Sequence, residues 1–215
     1  MNTFKNSHKL NPEYKLNKLS EETVHKNPFK QFDDWFTQVL KIKLKEPTAM
    51  VLATVDKKAR PSARVVLMKD FSSEGITFYT NYNSRKGEEL KKNPSAALLF
   101  YWAALERQLR IEGKIKKISR QESEKYFNSR QFGSRIAAWI SEQSETIPNR
   151  EYLEKRFTEL GKKYSSGKIP LPPNWGGYRL IPNYFEFWQG RENRMNDRIC
   201  YKKQKGRWKI FRLAP

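Results

Sequence analysis

Apolar residues recur at helical spacing near the start of this chain and at strand spacing over most of the rest. Asn27-Pro28 reads as a helix cap followed by proline at the first helical position. Phe29, Phe32, Phe36, Val39 and Leu40 then return every three or four residues, which predicts a helix laying an aromatic face on the core. From Thr48 the pattern changes. Residues 49–55 are apolar and β-rich, residues 56–59 form a turn and residues 61–68 a second strand; residues 71–75 turn into a strand at 76–80. Ser84 caps a short helix ending near Asn93-Pro94, and strands follow at 96–102 and 108–118. Ser119 and Glu122 have the spacing of a capping box for a helix through Ser129. Gly133 breaks that helix, 134–140 is a second helical piece, and an amphipathic helix spans roughly 151–164. The proline-rich stretch 167–173 is an irregular linker, after which strands are predicted at 178–181, 184–189, 198–202 and 208–213. Short successive strands with tight turns predict an antiparallel sheet closing into a barrel, mainly β with flanking helices (α+β). No internal repeat is present.

Length and composition narrow the class. With 215 residues the chain builds one sizeable domain, expected over residues 27–215. Residues 1–26 are polar, rich in Lys and Asn and without periodicity, and are expected to be mobile. No apolar stretch reaches the length of a membrane span and no charged-then-apolar leader opens the sequence, so a soluble cytoplasmic protein is expected. Cys200 is the single cysteine, which excludes an internal disulfide and an all-cysteine metal site. His8 and His25 are the only histidines, so neither a histidine-rich metal site nor a Ser-His-Asp triad is expected in the core. The net charge of +20 invites a nucleic-acid reading. Its distribution argues otherwise: lysines fall in short groups such as Lys57-Lys58, Lys91-Lys92, Lys116-Lys117 and Lys162-Lys163, with no basic arm and no nucleic-acid-binding motif.

Four stretches carry candidate chemistry. In the run Arg64-Val65-Val66-Leu67-Met68-Lys69, strand alternation points the two cations to opposite faces unless a bulge intervenes, so one strand can serve two anionic ligands. By residue type alone, two solvated charges beside a core strand are the stronger reading. In the run from Tyr79 and Thr80 to Ser84, Arg85 and Lys86, free amides and the positive dipole end of a helix favour an anion, and two cations there oppose the dipole unless a phosphate is near, so phosphate binding is favoured over a solvated turn. Tyr126, Arg130 and Ser134 lie at four-residue steps, on one face of a continuous helix, or with Ser134 capping the next helix if Gly133 breaks it. Either arrangement makes a compact phosphate site, and an ordinary surface Tyr-Arg pair fits the spacing equally. Gln108, Gln143 and Ser144 are neutral groups able to pair with the edge of a heterocycle, or simply solvated. The fourth stretch is C-terminal: Phe187 and Trp188 precede Arg191, Arg194 and Arg198, with Asn196 and Asp197 between the last two arginines. Guanidinium forks grip phosphate or carboxylate and stack on flat rings, as a planar phosphorylated ligand requires.

These stretches, in this order, resemble the pyridoxine (pyridoxamine) 5′-phosphate oxidases, flavin enzymes of vitamin B6 metabolism. The resemblance runs from Asn27 to Pro215 and takes in Asn27-Pro28-Phe29, Pro47-Thr48-Ala49-Met50, Trp175-Gly176-Gly177 and the terminal Arg212-Leu213-Ala214-Pro215. It implies a split β-barrel homodimer with FMN at the subunit interface. It implies oxidation of pyridoxamine and pyridoxine 5′-phosphates to pyridoxal 5′-phosphate, with O2 reduced to H2O2. Carried over by position, FMN contacts fall on Arg64, Val65, Val66, Leu67, Met68, Lys69, Tyr79, Thr80, Arg85, Lys86, Gln108, Gln143, Ser144, Trp188 and Arg198. Substrate contacts fall on Lys69, Tyr126, Arg130, Ser134, Arg194 and Asn196, the last two beside the reacting carbon. Two departures stand out. The family usually has Arg-Leu-His-Asp-Arg where this chain has Arg194-Met195-Asn196-Asp197-Arg198, so a group that titrates becomes one that does not. Around Pro12-Glu13-Tyr14 the match is partial, with Tyr14 still a candidate to fold over the substrate. A split-barrel flavin reductase or other flavoprotein with a different substrate, and a basic non-enzymatic binding protein, are the alternatives.

Overall fold

The computed structural model describes residues 13–165 and 167–215. Among these the order is α1 (Pro28–Lys41), β1 (Ala49–Val55), β2 (Pro61–Leu67), β3 (Asp70–Ser72), β4 (Gly75–Asn81), α2 (Arg85–Lys92), β5 (Ser95–Trp102), β6 (Arg107–Lys117), α3 (Arg120–Ser129), α4 (Phe132–Ile140), α5 (Arg150–Lys163), β7 (Trp175–Gln189), β8 (Asp197–Gln204) and β9 (Arg207–Arg212). The strands hydrogen-bond in the order β2-β1-β5-β6-β7-β4-β3, with β8 on β7 and β9 on β8. The hairpin β1–β2, the pair β4–β7 and the pairs β7–β8 and β8–β9 are all antiparallel. No helix among the described residues is long and apolar enough to cross a membrane. Contacts divide the chain into two compact units, one of Met1–Pro47, Leu99–Ile111 and Asn183–Pro215, the other of Thr48–Leu98 and Glu112–Pro182.

In the first unit α1 starts as its sequence dictates: the Asn27 side chain accepts the Phe29 N–H at 2.9 Å, and Pro28 occupies the first turn. Its buried stripe is Pro28, Phe32, Trp35 and Val39, so Trp35 takes the place expected of Leu40, which is 54% exposed. Steps of about 100° per residue carry Leu40 past the edge of that stripe. Trp35 meets Phe187 edge-on at 5.0 Å and Phe187 meets Tyr201 at 5.5 Å, which ties the helix to β7 and β8. Of the segment expected to be mobile, residues 1–12 lie outside the described residues. Beyond them Leu19 and Val24 are buried, the Leu19 N–H donates to Asp197 at 3.0 Å, and the Tyr201 hydroxyl donates to the His25 carbonyl at 2.7 Å.

In the second unit three expectations are corrected. β2 ends at Leu67 rather than at residue 68: the Met68 N–H turns to the Thr48 carbonyl and the Lys69 N–H to the Thr77 carbonyl, and β3 follows where only a turn was expected. Alternation therefore stops before Lys69. Gly133 does not break a helix; α4 begins at Phe132 with Gln131 as its cap, and the break lies at Arg130, which has extended backbone. Ser134 is thus inside the first turn of α4 rather than its cap. The third correction is β7, one strand of 15 residues where two were expected around Pro182. Its residues 175–180 pair with β4 and 184–189 with β8. Pro182 sits at the change of partner, where its missing N–H costs no ladder bond. The linker 167–173 is irregular as expected, but Ile169 and Leu171 are buried against Phe127, Ile136, Ile140 and Trp175.

Candidate functional site

A cleft of about 500 Å³ opens within the second unit. Arg64, Val65, Val66 and Leu67 of β2 line it, with Lys69 beyond, so both cations of that run reach one cleft instead of two faces. Tyr79, Thr80 and Asn81 enter from β4, Lys86 from α2, and Tyr126 and Arg130 from α3 and its end. Ala137, Ala138, Ser141, Gln143 and Trp175 complete the wall.

One end is built on the first turn of α2. The Ser84 hydroxyl caps the helix, accepting the Gly87 N–H at 3.4 Å and donating to the Asn81 carbonyl at 2.6 Å. Lys86 is buried, and its Nζ donates to Gln143 Oε1 at 3.1 Å and to the hydroxyls of Thr80 and Ser84 at 3.3 Å each. Burial, with the nearby Arg64 charge, pushes its ammonium down to about 8, against the pull of Glu89. Glu89 is itself buried and takes hydrogen bonds from Thr54 Oγ1 at 2.5 Å, Ser62 Oγ at 2.7 Å and Arg85 Nε at 2.9 Å, with Arg64 at 3.3 Å. Burial alone would raise a carboxyl; these donors and the Arg64 charge overcome it and bring Glu89 to about 2. Arg64 is fixed further by Leu52 O at 3.1 Å and by the hydroxyls of Thr54 and Ser62 at 2.5 Å. Arg85 and Ser144 do not line the cleft but border this end, where the Arg85 N–H donates to Ser144 Oγ at 3.1 Å.

The other end is aromatic. Tyr79 and Tyr126 stack with centroids 3.9 Å apart, and Trp175 lies nearly parallel to both, at 5.4 and 6.2 Å. Arg130 lies over the Trp175 ring at 4.8 Å, and its buried Nη1 has no hydrogen-bond partner. Burial lowers the guanidinium's proton affinity without neutralising it. A partly desolvated cation on a ring face, with a buried donor unspent, is suited to a phosphate. Lys69, on the same wall, is exposed.

Other expected residues lie elsewhere. Met68 is buried in the core, and Ser134 does not line the cleft. Gln108, Trp188, Arg194, Asn196 and Arg198 belong to the first unit. There Trp188 and Arg198 face each other across β7 and β8, and Tyr14 packs edge-on to Trp188 at 5.7 Å and against Gly190. Arg198 Nε donates to the buried Glu186 at 2.8 Å and its Nη1 to the Ala214 carbonyl at 2.9 Å. Asn196 Oδ1 accepts the Arg191 N–H at 3.0 Å, and Asn193 and Arg194 both have left-handed backbone (φ 54° and 59°). Arg194 is exposed on that turn. Sequence reasoning did not single out Asn81, Ser141 or Glu89. Glu89 had a signal, a carboxylate four residues after Arg85 on a helix.

A family model described as pyridoxamine 5′-phosphate oxidase matches residues 36–164, and one described as the pyridoxine 5′-phosphate oxidase C-terminal dimerisation region matches residues 175–215. A Nostoc punctiforme protein named pyridoxine/pyridoxamine 5′-phosphate oxidase is 54% identical over 96% of this chain and 97% of its own length; a Burkholderia mallei protein of that name is 53% identical with the same coverage. Among solved structures, PhzG from Burkholderia lata, in complex with tetrahydrophenazine-1-carboxylic acid, has a TM-score of 0.88 at 29% identity, covering 93% of this chain and 99% of its own. An FMN-binding, pyridoxamine 5′-phosphate oxidase-related protein of Nostoc punctiforme, with a TM-score of 0.71 at 17% identity over 89% of this chain and all of its own, shares the fold. The antiparallel sheet expected from the strand pattern, and the split barrel that the resemblance implied, are thus the fold observed, and the matched dimerisation region indicates a homodimer. With 96% of its length matched by relatives and several cations gathered around one cleft, the chain belongs to the pyridoxine/pyridoxamine 5′-phosphate oxidase family of oxidoreductases.

Proposed function

We propose that this protein oxidises pyridoxamine 5′-phosphate and pyridoxine 5′-phosphate to pyridoxal 5′-phosphate, using FMN held between the subunits of a homodimer. The observation that carries the reading is Arg130, a half-buried arginine over Trp175 whose buried Nη1 has no hydrogen-bond partner, sharing one cleft with Lys69 and Tyr126. Those three, with Ser134, are assigned to the substrate phosphate. The opposite end fits the phosphate of FMN: Lys86 is buried with neutral partners, Arg64 is fixed, and the N-terminal end of α2, whose dipole favours an anion, borders it. Val65, Val66, Leu67, Met68, Tyr79, Thr80, Arg85, Gln143 and Ser144 are assigned to the same cofactor, as are Gln108, Trp188 and Arg198.

A bound FMN would supply the redox chemistry, accepting hydride from the substrate C4′ carbon and being reoxidised by O2 to give H2O2. In the balance, the alcohol loses two hydrogens to O2, while the amine also consumes water and releases ammonia. What this chain supplies is orientation and charge. Arg194 is assigned to hold the pyridine ring, with Asn196 as a neutral partner, and positioning of this kind lowers barriers by up to about 7–11 kcal/mol in intramolecular models. A cytoplasmic setting suits the unpaired Cys200.

Anaerobic mixing of the FMN-loaded protein with each phosphate ester tests the reading. Expected are bleaching of the flavin absorbance, its return in air, and one H2O2 per aldehyde formed. A flavin that neither ester bleaches would overturn it. The likeness to PhzG, with Asn196 where the family usually has His, favours a second reading in that event, an oxidoreductase of the same fold acting on another planar anionic ring.

A further inference from the structure

Lys86 differs from the other cations of the cleft. Only 9% of it is exposed, and its Nζ donates to neutral oxygens alone, those of Gln143, Thr80 and Ser84. Glu89, three residues on in α2, does not serve as its counter-ion: that carboxylate takes its hydrogen bonds from Arg85, Thr54, Ser62 and Arg64. The charges acting on Lys86 are therefore Arg64 from β2, which repels it, and Glu89 from its own helix, which attracts it. Thr80 of β4, the Ser84 cap and Gln143 after α4 face it with neutral groups, and Lys69 and Arg130 add positive charge to the same wall. An ammonium so placed carries both a desolvation cost and a repulsion cost. An incoming phosphate dianion offsets both.

We propose that the cleft captures the phosphate of its flavin by taking up a proton at Lys86, a side chain partly neutral before binding and charged after it. The proton comes from solvent and the phosphate ester stays a dianion, so no bond other than N–H forms. Lys86 thereby becomes a specificity determinant, favouring the phosphorylated flavin over the same ring system without phosphate. The inference rests on the flavin reading above. Because the free amine titrates near 8, uptake has a definite window. Well below that pH Lys86 is charged in both states and no proton moves. Above it, each cofactor bound brings in close to one proton, and the apparent Kd for FMN rises about tenfold per pH unit.

The test is calorimetric titration of the flavin-free protein with FMN, at about pH 7 and about pH 9, in two buffers of different ionisation enthalpy. Expected is little proton uptake at the lower pH and close to one proton at the higher. Riboflavin, lacking the phosphate, should show no such change. Lys86→Arg, whose charge is permanent, should bind FMN with no uptake at either pH. FMN binding at the higher pH without uptake, or equal uptake by Lys86→Arg, would overturn the proposal and leave the flavin reading intact. FMN that fails to bind at the lower pH would overturn the flavin reading, and this proposal with it. Should the variant not fold, the comparison of FMN with riboflavin on the unmodified protein decides.

Discussion

Arg130 shows what a single side chain can add to a sequence motif. Its spacing from Tyr126 fitted an ordinary surface pair, and the orphaned Nη1 over Trp175 is what singles it out. Charge-assisted hydrogen bonds to such a group are worth about 1.5–3 kcal/mol. Arg130→Ala should therefore raise KM for pyridoxamine 5′-phosphate by roughly ten- to a hundredfold while leaving FMN affinity nearly unchanged. Steady-state kinetics beside a flavin-fluorescence titration check this, and equal losses in both would refute the assignment. Asn196 moves the other way. Its side chain closes the turn at Arg191, so the departure from the family pattern also has a local structural role. Asn196→His should introduce a titration near neutral pH into the rate profile; an unchanged profile would exclude this position from the proton-sensitive contacts. Glu89 has a pH signature in stability. Its folded value lies below the unfolded one, so its contribution is complete above about 4.5 and disappears as pH falls through about 2. Melting temperatures should fall across that window more steeply for the unmodified protein than for Glu89→Gln.

At the scale of elements, periodicity and caps were legible wherever the cause was local. Asn27, Ser84 and Ser119 cap the helices they were expected to cap, because a side-chain acceptor two or three residues ahead of a free N–H acts without tertiary help. The errors have tertiary causes. Pro182 looks like a strand break until β7 is seen to change partners there, and Lys69 looks opposed to Arg64 until β2 gives up its ladder after Leu67. Gly133 was misread because a glycine in the first turn of a helix costs little when the chain has already broken one residue before the cap. Gly87 is the reverse case, a glycine inside α2 that the fold requires. A Cβ there would lie 2.1 Å from the Tyr82 carbonyl oxygen. Alanine would gain about 1 kcal/mol of helix propensity, but crowding of this severity typically costs ~1–3 kcal/mol. Gly87→Ala should lower both the melting temperature and FMN affinity, since the helix that shifts carries Lys86. A rise in melting temperature would show that the loop at Tyr82 yields easily.

For the whole molecule, the order of motifs identified the family, while the division into two units left no mark in the sequence. β5, β6 and β7 each contribute residues to both units, so no linker or composition shift announces a boundary. The charge of +20 was likewise uninformative as a total. What distinguishes this protein is where a few cations lie: Lys86 is buried and Arg64 and Arg130 half-buried around one cleft, while most of the described lysines are on the surface. One buried group has a practical use. Cys200 is the chain's only thiol, it has no exposed surface, and the Tyr184 hydroxyl lies 3.0 Å from its sulfur. It belongs to β8, so a thiol reagent reaches it only when that part of the first unit opens. The labelling rate of the unmodified enzyme is then a built-in clock for that opening. Added FMN should slow the clock if Trp188 and Arg198 hold the flavin, and leave it running unchanged if they do not.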